Sequence, residues 1–436
     1  SGDTVAALTI TTLTATNDAV INGLTVGKGA SAVATNTALG IDTLDANTTG
    51  AANTAVGSSA LTANTTGNAN TALGLSSLGS STTGIYNVAV GYYANFANVS
   101  GNNNVTMGFQ TGRHSTGSNN TAIGYQSMLG LSGQSSASNN TAVGYQSLFT
   151  NTIGANNTAV GDLSLYDNTT GSQNTSIGRE ALTNNTTANQ NTAVGMYALR
   201  QTTTGGNNVA MGYASLLTNT TGVNNAAYGF NSLYNNTTAS NNTAVGTNSL
   251  LDNTTGGSNV AVGYQALSTN TTGSANTAVG YTALTSNTTA ANNVAVGYQS
   301  LYANTTGTRN NSLGYLSLNT NITGSDNTAM GYLALRYNTA NTNTAYGSYA
   351  LTANTTAANN VAVGYQAGKS NTTGSANTAV GSLALDANTA GVELTAVGKS
   401  ALGSSTGSYN TAMGSGAMSN TTTATHNSAF GRIALS

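Results

Sequence analysis

Residues 259–280 read N-V-A-V-G-Y-Q-A-L-S-T-N-T-T-G-S-A-N-T-A-V-G, which is one repeat followed by the start of the next. The glycine of the N-[T/V]-A-V-G phrase recurs from Gly40 to Gly431, and we count the other positions of each copy from it as position 0. The 436 residues hold 24 such anchors and 23 intervals, of which 19 are 17 residues long, three are 16 and one is 20. A disordered chain does not keep this register, so the repeat predicts a regular structure.

The composition excludes several classes of function. Only 5% of the residues are charged, against about a quarter in an average globular domain. The nine Lys and Arg residues are spread along the chain, so we expect no nucleic-acid interface. No apolar run approaches the roughly 18 residues of a membrane span, so we expect no membrane insertion. There is no Cys, and hence no disulfide.

Four columns of the repeat are nearly invariant. Position −1 is always apolar, position −2 is Ala in nearly every copy, position −4 is Asn in 23 of 24 copies, and position +4 is Leu or Met in 21 of 24. Stacked copies would turn each column into a ladder, and in the Asn column we expect each side-chain amide to bond to those above and below it. The residues that we expect to form these ladders in the middle of the chain are Asn140, Asn157, Asn191, Asn208, Asn259, Asn276, Asn293, Val160, Val262, Val279, Leu165, Leu267 and Leu284.

The local pattern favours strands and turns over helices, because every copy contains Asn-Thr-Thr-Gly or a variant rich in turn formers. The N-[T/V]-A-V-G phrase predicts a short strand, a second short strand would hold the Leu at +4, and the Asn-Thr-Thr-Gly corner would return the chain. We therefore predict an all-β fold, a β-solenoid of about 24 coils in which Leu and Val supply the core. At about 4.8 Å per coil, the rod would be roughly 115 Å long.

The predicted core is thin for a single rod. In many copies Val replaces Thr at position −3, so one strand face is Val-x-Val while the other still carries Ala. A strand that is apolar on both faces needs a cover on each. A parallel homotrimer is the simplest solution, because cyclic symmetry brings like columns together.

The repeat resembles two known families of fibrous proteins. Its N-[T/V]-A-V-G phrase resembles the S-V-A-I-G phrase in the β-roll heads of trimeric autotransporter adhesins. It is more similar to repetitive phage tail-fibre proteins, with strings such as G-Y-Q-[SA]-L-x-x-N-T-T-G-x-x-N-T-A-V-G; residues 263–280 carry the whole string, and residues 144–148 and 297–307 its first part. The resemblance implies a trimeric extracellular fibre that attaches to a host cell. Such fibres often carry a self-cleaving chaperone domain after the shaft, and no segment of this sequence resembles one.

Two segments depart from the period. Residues 1–34 lack it, and residues 5–14 are β-prone, so we predict an N-terminal cap or junction followed by a solenoid shaft at residues 35–436. No cap is visible at the other end, and open ends would allow end-to-end stacking. Residues 128–138 hold a three-residue insertion, interpreted either as a tolerated bulge or as a binding loop.

The chain offers little for catalysis. It has two Glu, two His and no Cys, and its Asp residues are scattered, so we expect no enzyme, no cofactor and no metal site. Tyr follows the anchor in ten copies, including Tyr264, Tyr281 and Tyr298. This column is either a stripe that stacks on sugars or a ladder that packs coils or chains together. Arg113 and His114 are further candidates for surface binding.

The leading hypothesis is thus a structural and adhesive extracellular fibre, namely the shaft of a phage tail fibre involved in host attachment. Its partners would be further copies of the chain and a glycan or protein of the host surface. The alternative is a bacterial surface adhesin or a self-assembling filament on the cell surface. Ice binding is a remote third hypothesis, because the adjacent Thr residues of N-T-T-G would point in opposite directions if extended.

Overall fold

The computed structural model describes residues 18–21, 24–133 and 135–436 as an all-β solenoid of about 23 turns with a repeat of about 17 residues. The 24 anchor glycines thus mark the limits of 23 turns. The one helical element in those residues is a 3₁₀ turn at Ala30–Ala32. The chain divides into two compact units, Ser1–Thr187 and Ala188–Ser436. Residues 5–14, predicted to be β-prone, lie outside the described residues.

The first unit opens with an antiparallel hairpin. Strand β1 (Ala19–Ile21) pairs with β2 (Leu24–Gly27), which pairs in turn with β3 (Thr37–Gly40), the first strand of the solenoid. The carboxylate of Asp18 accepts hydrogen bonds from the backbone N–H groups of Lys28 and Gly29, both at 2.6 Å. The hairpin therefore occupies an edge of β3 that would otherwise expose unpaired backbone groups.

Within each unit the solenoid strands pair in parallel with the strand of the next coil, one residue to one residue. In the first unit they are β3, β4 (Thr54–Val56), β5 (Thr71–Leu73), β6 (Val88–Val90), β7 (Val105–Met107), β8 (Thr121–Ile123), β9 (Thr141–Val143), β10 (Thr158–Val160) and β11 (Thr175–Ile177).

The second unit continues the same pattern. Its strands are β12 (Thr192–Val194), β13 (Val209–Met211), β14 (Ala226–Tyr228), β15 (Thr243–Val245), β16 (Val260–Val262), β17 (Thr277–Val279), β18 (Val294–Val296), β19 (Asn311–Leu313), β20 (Thr328–Met330), β21 (Thr344–Tyr346), β22 (Val361–Val363), β23 (Thr378–Val380), β24 (Thr395–Val397), β25 (Thr411–Met413) and β26 (Ser428–Phe430).

Side-chain alternation decides which face of each strand is buried. In β17, Ala278 is fully buried while Thr277 and Val279 on either side of it are only half-buried. The prediction that Val contributes to the core is therefore wrong, since Val160, Val262 and Val279 all lie on the outer face. Asn at −4 and Ala at −2 point inward, and a period of two sends position −1 outward.

Leu at position +4 fills the interior from a turn, not from a second strand. Leu267 is fully buried and has a φ of 54°, and Gln265, two residues before it, has a φ of 51°. The second strand that we predicted around this Leu is therefore wrong. The left-handed residues curl the chain back, while the backbone N–H of Leu267 still donates to the carbonyl of Ala283 in the next coil at 3.0 Å.

The anchor glycine is required where two coils come closest. Gly246 has a φ of 128°, and a Cβ on it would lie 2.6 Å from the carbonyl oxygen of Gly263 in the next coil. Any side chain there would both strain the backbone and push the coils apart. This explains why the same residue recurs at position 0 of every copy.

The different burial of positions +4 and −1 can be tested by truncation. Leu267→Ala should lower the free energy of unfolding by about 2–5 kcal/mol, because it leaves a cavity in a closed interior. Val262→Ala, on the half-buried outer face, should cost distinctly less. Urea denaturation of the chain in monomeric form, followed by circular dichroism, measures both losses, and equal losses would contradict the assignment of Val262 to the outer face.

Candidate functional site

The Asn column at position −4 joins coils through backbone groups. The side-chain Oδ1 of Asn276 accepts a hydrogen bond from the backbone N–H of Asn293 in the next coil at 3.0 Å. Its Nδ2 donates to the carbonyl of Ala290 at 2.8 Å. The sequence predicted amide-to-amide bonding, whereas the main link in this ladder runs from side chain to backbone. Every predicted member of the column is buried: Asn140, Asn157, Asn191, Asn208, Asn259, Asn276 and Asn293.

A second Asn ladder, at position +7, is absent from the sequence-based prediction. The Nδ2 of Asn270 donates to the Oδ1 of Asn253 in the preceding coil at 2.8 Å and to the carbonyl of Gly273 at 2.9 Å. Asn287 repeats this pattern one coil later. The sequence does contain a signal for this ladder, because the Asn of Asn-Thr-Thr-Gly recurs at a fixed offset from the anchor. Interpreting that Asn only as a turn former does not reveal the ladder.

Five Tyr residues at position +1 form a continuous stack on the surface of the second unit. Successive ring centroids of its five members lie 5.1–5.3 Å apart, with interplanar angles of 7–14°. Each side chain follows an anchor glycine and points outward, so it meets its own copy in the next coil. The members are Tyr264, Tyr281, Tyr298, Tyr315 and Tyr332.

A shorter stack in the first unit contains Tyr92, Phe109, Tyr125 and Tyr145, with centroids 5.2–5.3 Å apart. The prediction based on Tyr alone omits Phe109, which is a member of this stack. Rings inside either stack have a neighbouring ring against each face. They offer edges and hydroxyl groups to solvent, whereas a sugar stacks on an open ring face.

Arg113 and His114 lie in the first unit, on the turn before the insertion. The guanidinium of Arg113 lies over the ring of Tyr93, 4.9 Å from its centroid, which is the geometry of a cation–π contact. The backbone N–H of His114 donates to the carbonyl of Leu129 at 2.9 Å. Partial burial, and then the charge of Arg113, lower the pKa of His114, which favours the neutral imidazole.

The insertion keeps contact with the coil before it. Ser115 and Ser135 form an isolated parallel bridge, and the Oγ of Ser135 accepts a hydrogen bond from the N–H of Leu131 at 2.7 Å. Gln134 lies outside the described residues. The bridge shows that the extra residues bulge from a turn while the pairing of coils resumes on both sides.

Two arginines lie beside a carboxylate on a neighbouring coil. Arg309 donates two hydrogen bonds to the carboxylate of Asp326, at 2.6 and 2.9 Å, from the equivalent position one coil earlier. Arg179 and Asp162 lie 3.6 Å apart in the same way. In the part of the chain that the structure describes, no three His, Asp or Glu side chains converge as metal ligands do. Nor does that part contain a helix long and apolar enough to cross a bilayer.

The outer face of the strand stack is apolar and open to solvent. In the second unit a shallow groove runs across strands β18–β21 and is lined by Val294, Val296, Leu313, Met330 and Tyr346, among others. Three of these side chains, Val294, Leu313 and Tyr346, are exposed. Contiguous apolar surface of this kind is typical of protein interfaces.

The Asn ladder at position −4 makes a prediction about stability. Asn276→Ala removes the acceptor of the Asn293 N–H inside a closed interior, and should lower the free energy of unfolding by about 1–3 kcal/mol. The carbonyl of Ala290 keeps a second donor, Asn287, so the loss falls mainly on that N–H group. Urea denaturation measures the effect. Thr272→Ala on the exposed corner is the matched control and should change stability by less than about 0.5 kcal/mol.

The ion pair between coils makes a prediction about pH. The hydrogen bonds from Arg309, with its charge, lower the pKa of Asp326. The stabilisation from this pair is therefore present above the ordinary Asp pKa and is lost as the pH falls through the lowered value. Arg309→Gln should raise the pKa of Asp326 to its ordinary range in an NMR pH titration. Lys399→Gln should leave it unchanged, and equal effects of the two changes would disprove the assignment.

Comparison with known proteins adds no family to these observations. No protein-family model matches the chain, and no curated protein matches it in sequence. The function of the chain is therefore inferred from its own residues and geometry.

Proposed function

We propose that this chain is the shaft of an extracellular fibre, built as a parallel homotrimer and used as part of a phage tail fibre in host attachment. The observation that carries the proposal is the exposed apolar outer face of a strand stack whose interior is already closed. The side chains of this face do not fill the interior of any coil. The face continues from one coil to the next along the strand stack.

The interior of each coil needs no help from the outer face. It is filled by Leu at +4 and Ala at −2, as Leu267 and Ala278 illustrate, and lined by the two Asn ladders. The apolar side chains at −1 remain outside, and those of Val245 and Leu313 are more than a third exposed. Burying them against other chains would remove apolar surface from water at about 25 cal/mol per Å².

Symmetry favours further copies of the same chain as the cover. Parallel chains in register place like columns at the same height, so every coil of one chain meets the same residues of its neighbours. The near absence of charge supports this arrangement, since a charge in the column would face its own copies across the interface. Three chains around an axis bury one outer face each.

Attachment to a host would use the side chains that remain exposed on the surface of the trimer. The aromatic stacks and the neutral Asn-Thr-Thr-Gly corners offer hydroxyl and amide groups along the fibre, which suit a glycan or a protein of a host surface. Localisation tests this part of the proposal. Antibodies against the chain, viewed by electron microscopy, should label the tails of phage particles. Labelling of filaments on bacterial cells without capsids would instead support a surface adhesin.

The assembly makes a prediction about mass. In native solution the full chain should have three times its monomer mass of 43.2 kDa, measured by light scattering. Val262→Asp should release folded monomers, because it places three carboxylates together while leaving the interior intact. Asp252→Asn is the control, since its side-chain oxygen still accepts the hydrogen bond from Asn235. A native monomer, or a trimer that withstands Val262→Asp, would disprove this interface.

A further inference from the structure

The aromatic column of the second unit has a missing member at Thr247. Phe230 precedes it by one coil and Tyr264 follows it by one coil, as the register of strands β14, β15 and β16 fixes. Adjacent members of the column are 5.1–5.3 Å apart. The rings of Phe230 and Tyr264 are therefore separated by two coils, or about 10 Å.

This separation suits one flat ring. Carbon atoms in contact lie about 3.5–4.0 Å apart, so a ring held between two others needs roughly 7–8 Å between them. Thr247 is too small to fill this space. The side chains of Phe230 and Tyr264 are 49% and 43% exposed, so the space is open to solvent.

The chain contains a second break of the same kind, and there it supplies the ring itself. Ser348 stands between Tyr332 and Tyr365, and Tyr349 at position +2 reaches into the gap. The centroid of the Tyr349 ring lies 5.3 Å from that of Tyr332 and 6.5 Å from that of Tyr365, edge-on to both. A single missing member of the column can thus hold one aromatic ring.

The gap at Thr247 has no such ring. Asn248 takes the place of Tyr349, and its side chain is much shorter. The Oδ1 atoms of Asn248 and of Asn231, its neighbour in the column at +2, are buried and accept no hydrogen bond within the described residues. The position beside the gap therefore keeps unused hydrogen-bond acceptors.

The geometry points to a binding slot at Thr247 for one uncharged aromatic ring with an O–H or N–H donor, that is, a phenol or an indole. Phe230 and Tyr264 would hold the ring between them. The Oδ1 atoms of Asn231 and Asn248 are buried in the unbound chain, so one of these amides would turn toward the ring to accept its donor. None of these side chains carries a charge, so the slot gives no advantage to an ionic ligand. This inference does not depend on the proposed fibre function, because it uses one surface of one chain.

Fluorescence provides a direct test, because the protein contains no Trp. N-acetyl-tryptophanamide can be excited at wavelengths that Tyr does not absorb, and its emission should change saturably when the full chain is added. Phe230→Leu and Tyr264→Leu should each weaken binding by about 2–10-fold, the range expected for losing one aromatic contact. Methyl glucoside, which offers a sugar ring in place of an aromatic one, should not compete.

Thr247→Tyr is the decisive variant, because it completes the column from within. It should abolish binding of the probe and raise the melting temperature by about 1–3 °C. Ser382→Tyr, at the same position of another coil, is the matched control and should leave binding unchanged. The slot would be overturned if the unmodified chain did not bind the probe, or if methyl glucoside displaced it. It would also be overturned if the Thr247→Tyr variant, or both Leu variants, bound the probe as well as the unmodified chain does. Light scattering on the same samples tests the trimer separately.

Discussion

Hydrogen bonding between the backbones of successive coils is the constraint on which the rest of this structure depends. It fixes the rise at about 4.8 Å per coil, so every side chain meets the equivalent side chain of the next copy. The bonding continues through the turns, where the N–H of Leu267 donates to Ala283 and that of Gln265 to Thr247. Because neighbouring coils come closest at position 0, that position requires glycine. Like charges at the same position of successive coils are disfavoured, because they would lie next to each other. In the ion pair between Arg309 and Asp326, adjacent coils carry opposite charges.

A narrow coil must also satisfy polar backbone groups in an interior with little space. Asn meets this need because one short side chain both accepts and donates. The amide of Asn276 links the N–H of one coil to a corner carbonyl, while that of Asn270 links amide to amide. With Ala and Leu filling the remaining space, the interior is closed. Exposed apolar side chains such as Leu313 thus lie outside it, and they support the proposed assembly.

The same stacking also organises the surface of each unit. An aromatic residue that faces outward in successive coils forms a ladder of rings. Where one coil carries a small residue instead, the ladder has a gap whose width is set by the spacing of the coils. The gap at Ser348 is filled by Tyr349, whereas the gap at Thr247 has Asn248 beside it. The binding slot that we propose at Thr247 would thus arise where one column of an otherwise uniform repeat is broken.

The sequence by itself determined the period, the all-β class, the short strand, the Asn column at −4 and the Leu at +4, because each is a recurring residue at a fixed spacing. Tertiary structure alone decided that Val262 faces outward, that Leu267 lies in a turn, and that a second Asn ladder joins the corners. The physical reason lies in backbone conformation. Neither Leu nor Gln prefers a positive φ, and they adopt it here because burial and hydrogen bonds to adjacent coils outweigh local preference.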